Sequence, residues 1–213
     1  MADYLLFDLD GTLTDPKEGI TKCVQYALAK FGIAADCDAL VPFIGPPLID
    51  SFRDFYHMTT EQAQQAVAYY RERFAPVGIF ENGVYPGIPA LLEALRGAGR
   101  RLAVATSKPT VYSVQICDKF GLSPYFEAIV GSELDGRRTD KAEVVAEALR
   151  QLGAKAGNAL MVGDRSYDIL GAHRCGVRAV GVSYGYAAPG ELEQAGADAI
   201  VDSPAALLPI LTK

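Results

Sequence analysis

Two aspartates and a glycine follow a short apolar segment near the start of the chain. Residues 4–7 are aromatic or aliphatic, and Asp8, Asp10 and Gly11 come directly after them. This order predicts a buried strand that carries carboxylates at its carboxyl end, where open α/β sheets bind their ligands. Two neighbouring carboxylates repel each other and require a cation or raised pKa values. A hard cation such as Mg²⁺ is the simplest partner. The alternative is a pair of surface aspartates in a turn.

A second acidic group follows another apolar segment, at residues 161–168. Asp164 comes after Met161-Val162-Gly163, and Asp168 lies four residues later at the start of a predicted helix. Asp168 could simply stabilise that helix through its dipole, whereas Asp164 occupies the end of a predicted strand, as Asp8 does. Two strand ends with aspartates predict a cluster of four carboxylates, which only bound metal together with a lysine makes tolerable.

A hydroxyl group and a lysine complete the candidate set. Residues 102–105 are apolar and lead into Thr106, Ser107 and Lys108. A hydroxyl at that strand end can donate to a phosphate oxygen, although a helix N-cap is the alternative. Lys141 begins a predicted helix, where the dipole disfavours a cation. This placement indicates a nearby anion, which Asp140 alone could supply.

These residues require a particular arrangement of strands and helices. Strands are predicted at 4–9, 101–106, 126–130, 159–162, 179–183 and 199–201, and helices at 89–98, 111–120, 141–152, 167–175 and 190–195. Such alternation is typical of an α/β protein with a parallel sheet. The segment from the first strand to residue 89 is far longer than a crossover needs. Helical spacing at 19–31 and 60–74, with a shorter helix at 50–56, predicts an inserted helical domain at 15–82. The first domain then comprises 1–14 and 83–213, with hinges at 14–16 and 82–86.

Composition excludes several classes of protein. The chain has 20 Lys+Arg against 26 Asp+Glu, a formal charge of −6, which argues against sequence-independent nucleic-acid binding. Apolar runs are too short for a membrane helix. Four widely spaced cysteines without a Cys-x-x-Cys pair exclude a zinc site and predict reduced thiols in a cytoplasmic protein. Residues 181–186 are rich in glycine but form no dinucleotide fingerprint. Arg71 and Arg73 are expected to be solvated, and the aromatic residues of 52–74 to form the core of the insertion.

The acidic, hydroxyl and lysine groups occur in the order of four known motifs. Residues 8–12 (Asp-Leu-Asp-Gly-Thr), Thr106, Lys141 and residues 163–168 (Gly-Asp-x-x-x-Asp) match them in turn, although Lys141 lacks the following proline frequent in relatives. Over nearly its whole length the chain resembles the haloacid dehalogenase-like superfamily, and within it the phosphoglycolate phosphatase-like hydrolases. The resemblance implies an α/β fold with a Rossmann-like parallel sheet core, helices on both faces and an inserted α-helical cap domain.

The resemblance also implies a mechanism. It implies a Mg²⁺-dependent phosphatase in which Asp8 attacks phosphorus to form an aspartyl-phosphate. Asp10 then acts as general acid and base. Thr106 and Lys141 stabilise charge on the transferring oxygens.

The implied metal ligands and substrate contacts draw on the same motifs. Mg²⁺ is expected to bind Asp8, the backbone carbonyl of Asp10 and Asp164, with support from Asp168 directly or through water. Besides Thr106 and Lys141, the expected substrate-binding residues are Gly11, Thr12, Ser107 and, in the cap, Gly45.

Phosphoglycolate is the first substrate that the resemblance implies, and a nucleoside 5′-monophosphate is the alternative. A β-phosphoglucomutase-type transferase fits less well. Dehalogenases and phosphonatases of the superfamily lack an acid equivalent to Asp10, and response-regulator receivers lack the insertion. We expect a cytoplasmic monomer or homodimer that acts on a small phosphorylated metabolite, without nucleic-acid or membrane partners.

Overall fold

The computed structural model describes residues 2–213, which divide into two compact units. The core unit consists of the chain up to Asp15 together with Val84–Lys213, and the inserted unit is Pro16–Gly83. These boundaries lie one residue from the predicted ones. That the inserted unit works as a cap stays a prediction.

The strands fall into two sheets. They are β1 Tyr4–Phe7, β2 Thr14–Asp15, β3 Gly83–Val84, β4 Arg101–Pro109, β5 Ala128–Ser132, β6 Ala159–Gly163, β7 Arg178–Val182 and β8 Ala199–Val201. Six of them form a parallel sheet in the order β5-β4-β1-β6-β7-β8, and β2 pairs with β3. The first strand therefore lies inside the sheet.

Nine α-helices accompany these strands in the described part of the chain. They are α1 Lys17–Ala29, α2 Leu48–Tyr56, α3 Thr60–Phe74, α4 Ile88–Gly97, α5 Thr110–Lys119, α6 Lys141–Leu152, α7 Ser166–Arg174, α8 Glu191–Gln194 and α9 Pro204–Leu211. Helices flank the sheet, which confirms the predicted α/β fold. None of the helices between residues 2 and 213 combines the length and apolar character that a bilayer crossing requires.

One buried apolar cluster lies between the sheet and the helices α6 and α7. Leu6, Ala103 and Met161 from three adjacent strands pack in one buried cluster with Val145 of α6 and Ile169 of α7. Strands of a parallel sheet are covered on both faces, which is why these segments read as continuous apolar runs rather than as alternating patterns. The in-register pairing of β1 with β4 and β6 brings the carboxyl ends of these strands to one edge of the sheet.

The inserted unit has its own core. Helix α3 begins with a capping box between Thr59 and Gln62, which explains why the predicted start of this helix at residue 60 is confirmed. The expectation that Arg73 is solvated is wrong, because its guanidinium forms two hydrogen bonds with Glu81, at 2.7 and 3.0 Å. The aromatic prediction is only partly confirmed. Phe52, Tyr70 and Phe74 are buried, but Phe55 is 49% exposed.

Other predicted boundaries were shifted by a few residues, and one helix was missed. Strand β4 continues to Pro109, three residues beyond the predicted end, with an irregular register against β5 between Ala105 and Pro109. Helix α9 was not predicted, since its sequence is almost uniformly apolar and contains Pro209, a residue that normally disfavours a helix interior.

Candidate active site

Three adjacent strands bring the predicted site residues to one edge of the sheet. Phe7 of β1 lies opposite Val104 of β4 and Val162 of β6. Because the strands are parallel and in register, the residues that follow them emerge together at the carboxyl edge. The chain after β1 supplies Asp8, β4 supplies Thr106 and the chain after β6 supplies Asp164.

Asp8, Asp164 and Asp168 form a buried cluster that we name the carboxylate triad. One carboxylate oxygen from each lies within 4.8 Å of the others. The residues are 4%, 0% and 2% exposed, respectively. Asp168 reaches the cluster from the first turn of α7, where its Oδ2 also accepts the backbone N–H of Arg165 at 3.0 Å. Three acidic groups predicted from two separate motifs thus come together.

Lys141 is the cation nearest to the triad. From the start of α6, its Nζ lies 2.8 Å from Asp8 Oδ1 and 2.6 Å from Asp168 Oδ1. The interpretation in which Asp140 is the partner of Lys141 is wrong. The Asp140 carboxylate instead caps α6 through the Ala142 N–H and pairs with Arg174. The helix dipole disfavours Lys141 at the N-terminus of α6, but its ion pairs with the buried carboxylates of Asp8 and Asp168 offset this cost.

Burial away from water shifts the pKa values of the triad and of Lys141. Burial, together with Asp168 and Asp8, raises the pKa of Asp164 well above its ordinary value. Burial also raises the pKa of Asp168 to about 6, although Lys141 opposes this rise. Burial by itself lowers the pKa of Lys141, but the charges of Asp168 and Asp8 outweigh it and raise the pKa above its ordinary value. Full ionisation of the triad is therefore unfavourable unless a further cation balances its charge.

Gly11 and Thr12 contact the triad at Asp164. Gly11 has a φ of +82°, and a Cβ at this position would lie 2.1 Å from Asp164 Oδ2, so a side chain here is excluded on both counts. The Thr12 hydroxyl donates to Asp164 Oδ1 at 3.2 Å and is fully buried. The observed contact of Thr12 orients a carboxylate. Substrate binding by Gly11 and Thr12 stays a prediction.

The other predicted substrate-binding residues are Thr106, Ser107 and Gly45. Thr106 is buried in β4 and does not cap α5, whose N-cap is Pro109, so the alternative interpretation of its hydroxyl is wrong. Ser107 is half-buried, and its carbonyl accepts the hydroxyl of Ser132 at 2.8 Å. Gly45 lies in the inserted unit with a φ of +108°. Contact of these three residues with substrate stays a prediction.

The Asp10 carboxylate has a partner that sequence reasoning did not identify. Its Oδ2 lies 2.8 Å from Lys108 Nζ, and both side chains are at most 10% exposed. Its Oδ1 is buried and has no hydrogen-bond partner among residues 2–213. Burial raises the pKa of Asp10 despite the opposing charge of Lys108. The Asp10 carboxylate does not belong to the triad. Metal binding by Asp10 through its backbone carbonyl stays a prediction.

A second missed feature is the tyrosine loop, which we define as residues 184–186. The Tyr186 N–H donates to Asp164 Oδ2 at 2.8 Å, and the Tyr184 phenol donates to the Thr12 carbonyl at 2.9 Å. A Cβ on Gly185 would lie 2.4 Å from Asp164 Cβ. One signal in the sequence could have indicated this loop. It follows the end of β7, and β7 lies next to β6, so the carboxyl ends of both strands reach the same edge of the sheet.

The donor set of the triad suits a hard divalent cation. All its ligand atoms are carboxylate oxygens, which Mg²⁺ prefers. Lys141 neutralises one charge of the triad and Lys108 is paired with Asp10, so two negative charges are left without a cation when all three carboxylates are ionised. A dication matches this excess, and the residues therefore fit a bound Mg²⁺.

Comparison with known proteins identifies the family. A family model described as haloacid dehalogenase-like hydrolase matches residues 5–182. The chain belongs to the haloacid dehalogenase-like hydrolases. This region includes β1 from its second residue, the core strands β4–β7 and all the residues of the triad.

Several relatives of this haloacid dehalogenase-like chain are named as phosphatases or nucleotidases. A 5′-nucleotidase of Pseudomonas aeruginosa is 52% identical over 189 residues, 88% of this chain and 86% of that protein. A phosphoglycolate phosphatase of Cupriavidus necator is 34% identical over 98% of this chain and 92% of that protein. The crystal structure of a predicted phosphatase from Clostridium acetobutylicum has a TM-score of 0.97 at 48% identity, over 99% of this chain and 98% of that one. This haloacid dehalogenase-like chain is a phosphoric monoester hydrolase.

Proposed function

We propose that this hydrolase is a Mg²⁺-dependent phosphatase of small phosphorylated metabolites that works through an aspartyl-phosphate on Asp8. The observation that carries the proposal is the buried carboxylate triad, which is joined to Lys141 and left with excess negative charge. Such a cluster is costly without a cation. Its position at the carboxyl edge of the sheet is where α/β proteins bind ligands.

Asp8 acts as the nucleophile in the first step. One of its carboxylate oxygens attacks phosphorus, and the bond from phosphorus to the ester oxygen breaks, which leaves the phosphoryl group on Asp8. Lys141 holds the other oxygen, since its Nζ lies 2.8 Å from Oδ1. When bound, Mg²⁺ supplies charge neutralisation between the carboxylates and the phosphate. Asp8 and Asp164 are the residues proposed to hold it, with the Asp10 carbonyl and with Asp168 directly or through water.

Asp10 acts as general acid in the first step and as general base in the second. In the first step its carboxyl group gives a proton to the departing ester oxygen, and in the second it takes one from the water that hydrolyses the aspartyl-phosphate. The raised pKa of Asp10 supports the first role. Lys108, 2.8 Å away, favours the carboxylate form that the second role needs. Burial therefore raises the pKa of Asp10 and Lys108 lowers it. These opposing effects suit a carboxyl group that must be protonated in one step and ionised in the other.

Thr106 and Lys141 stabilise the transferring phosphoryl group. Both residues are buried at the edge of the sheet, where Asp8 also lies. Donors that are already fixed in place need no reorganisation as negative charge develops on the oxygens, which is the basis of their effect on rate.

We propose a nucleoside 5′-monophosphate as the preferred substrate. The supporting observation is that the relative at 52% identity is named as a 5′-nucleotidase. Phosphoglycolate, which sequence reasoning placed first, is the second candidate because a relative at 34% identity carries that name. We further propose that the inserted unit contributes substrate contacts, Gly45 among them, and that the protein works in the cytoplasm as a monomer or homodimer.

The test is a substrate panel with a chemical trap for the intermediate. We would measure kcat/KM for nucleoside 5′-monophosphates, phosphoglycolate, β-glucose 1-phosphate and p-nitrophenyl phosphate, each with Mg²⁺ and with EDTA. Acid quenching with a radiolabelled phosphate ester should leave label on the wild type and none on the isosteric Asp8→Asn variant. Equal activity in EDTA would overturn the metal requirement. Turnover without labelled protein under single-turnover conditions would overturn the covalent mechanism.

A further inference from the structure

Tyr186 connects the carboxylate triad to a distant part of the chain. Its backbone N–H donates to Asp164 Oδ2 at 2.8 Å, while its phenol donates to Asp15 Oδ1. Asp15 is the last residue of the core unit before the insertion begins. One residue therefore touches a triad carboxylate with its backbone and the segment after β1 with its side chain.

The Asp164 carboxylate depends on few contacts for its orientation. Oδ1 accepts the Thr12 hydroxyl at 3.2 Å, a long hydrogen bond, and Oδ2 accepts the shorter one from Tyr186. The position of this N–H thus affects the direction of the Asp164 carboxylate.

The backbone at Tyr186 is held by side chains at both ends of the tyrosine loop. The Tyr184 phenol donates to the Thr12 carbonyl, and the Tyr186 phenol donates to Asp15 and also shares a hydrogen bond with the phenol of Tyr85. Gly185 between them packs closely against Asp164, because a Cβ there would lie 2.4 Å from Asp164 Cβ. Gly185 has no side chain to anchor the loop, so we expect the hydrogen bonds of the two phenols to position it.

We propose that Tyr186 is a positioning residue for metal binding, whose phenol, held by Asp15, places the N–H that orients the Asp164 carboxylate. The inference rests on the proposed function in one respect, namely that Asp164 holds Mg²⁺. Residues that orient metal ligands through hydrogen bonds typically change metal affinity by about 10–100-fold when they are replaced. Because the Asp15 contact is exposed to solvent, we expect an effect at the lower end of this range.

The experiment measures Mg²⁺ binding directly, by isothermal titration calorimetry of the full chain with MgCl₂ alone. Tyr186→Phe removes only a hydroxyl and should raise the Kd for Mg²⁺ about 10-fold. Asp15→Ala should do the same, whereas Asp15→Asn, which keeps an acceptor oxygen, should stay close to wild type. Tyr4→Phe is the matched control, since the Tyr4 phenol accepts a hydrogen bond from Arg101 at the far end of β1; its Kd should not change.

A double-mutant cycle separates positioning from general loss of structure. If Asp15 acts through the Tyr186 phenol, combining Tyr186→Phe with Asp15→Ala should raise the Kd no further than Tyr186→Phe alone. An unchanged Kd in both single variants, or effects that multiply in the double variant, would overturn the inference. Asp15→Ala carries the test if Tyr186→Phe does not fold. Failure of the wild type itself to bind Mg²⁺, with a trace like that of Asp164→Asn, would instead overturn the proposed function and this inference with it.

Discussion

Replacing Lys141 with methionine probes the electrostatics of the site most directly. Its Nζ lies 2.8 Å from Asp8 Oδ1 and 2.6 Å from Asp168 Oδ1, with all three side chains at most 6% exposed. Loss of one partner from a buried ion pair costs about 3–5 kcal/mol, because the remaining charge is left uncompensated. In chains of this size 1 kcal/mol changes Tm by about 2–4 °C. We therefore expect metal-free Lys141→Met to melt about 10 °C below the wild type at pH 8.

The destabilisation should depend on pH in a defined direction. The pKa of Asp168 is about 6 in the folded protein, against an ordinary value of 3.8. Without Lys141, which lowers it, this folded-state pKa rises further, so the variant binds a proton at a higher pH than the wild type does. The variant therefore gains stability relative to the wild type as the pH falls towards about 6, since a neutral Asp168 needs no cation. The difference in Tm should be largest at pH 8 and smaller at pH 5.5.

Calorimetric melting in EDTA at both pH values measures this effect. Arg150→Met is the matched control, because Arg150 lies on the same helix α6 and pairs with Glu147 at 2.7 Å, but its side chain is 71% exposed. Exposed pairs are screened by water, so the control should melt close to the wild type at both pH values. The reasoning is refuted if Lys141→Met costs no more than Arg150→Met, or if its cost grows as the pH falls.

Three further predictions concern catalysis. Asp8→Asn should reduce turnover by more than the ~10²–10⁴-fold that a general acid contributes, as measured by steady-state phosphate release; substantial Mg²⁺-dependent residual activity would contradict a nucleophilic Asp8. Asp10→Asn should slow single-turnover phosphorylation by alkyl monoesters about 10²–10⁴-fold but spare p-nitrophenyl phosphate, and equal losses would argue against proton transfer by Asp10. Replacing residues 46–48 with Gly-Gly-Ala should change the substrate ranking in kcat/KM more than the Mg²⁺ activation constant. A uniform fall with weaker Mg²⁺ activation would show that this loop serves catalysis itself.

The sequence was sufficient to predict the sheet because its strands are buried on both faces. Segments such as β1 and β6 are uninterrupted apolar runs that end in charged or glycine-containing turns, and that pattern has few other solutions. The two acidic motifs were likewise predictable, since each follows such a run. What brings Asp8 close to Asp164 is only the in-register pairing of β1 with β6, which parallel strands of similar length adopt readily.

Lys108 shows where local patterns cease to be informative. Strand β4 was expected to end at Thr106, yet it continues with an irregular register to Pro109. Periodicity cannot report an irregularity of this kind, since it breaks the alternation on which strand assignment depends. The pairing of Lys108 with Asp10 therefore becomes visible only when the backbone path is known.

The tyrosine loop was missed for a different reason, which bears on how the site works. A glycine-rich segment suggests a nucleotide fingerprint, whereas residues 184–186 contact Asp164 through one backbone N–H and through a glycine that has no Cβ. The N–H is present in any residue but proline, and the need for glycine at 185 comes from the close approach of Asp164, which no local pattern reports. The residues that carry the proposed chemistry were found because their side-chain types are constrained. Those that hold Asp164 in place are constrained mainly by geometry, and under the proposed function we expect changes there to alter metal affinity without altering the reaction.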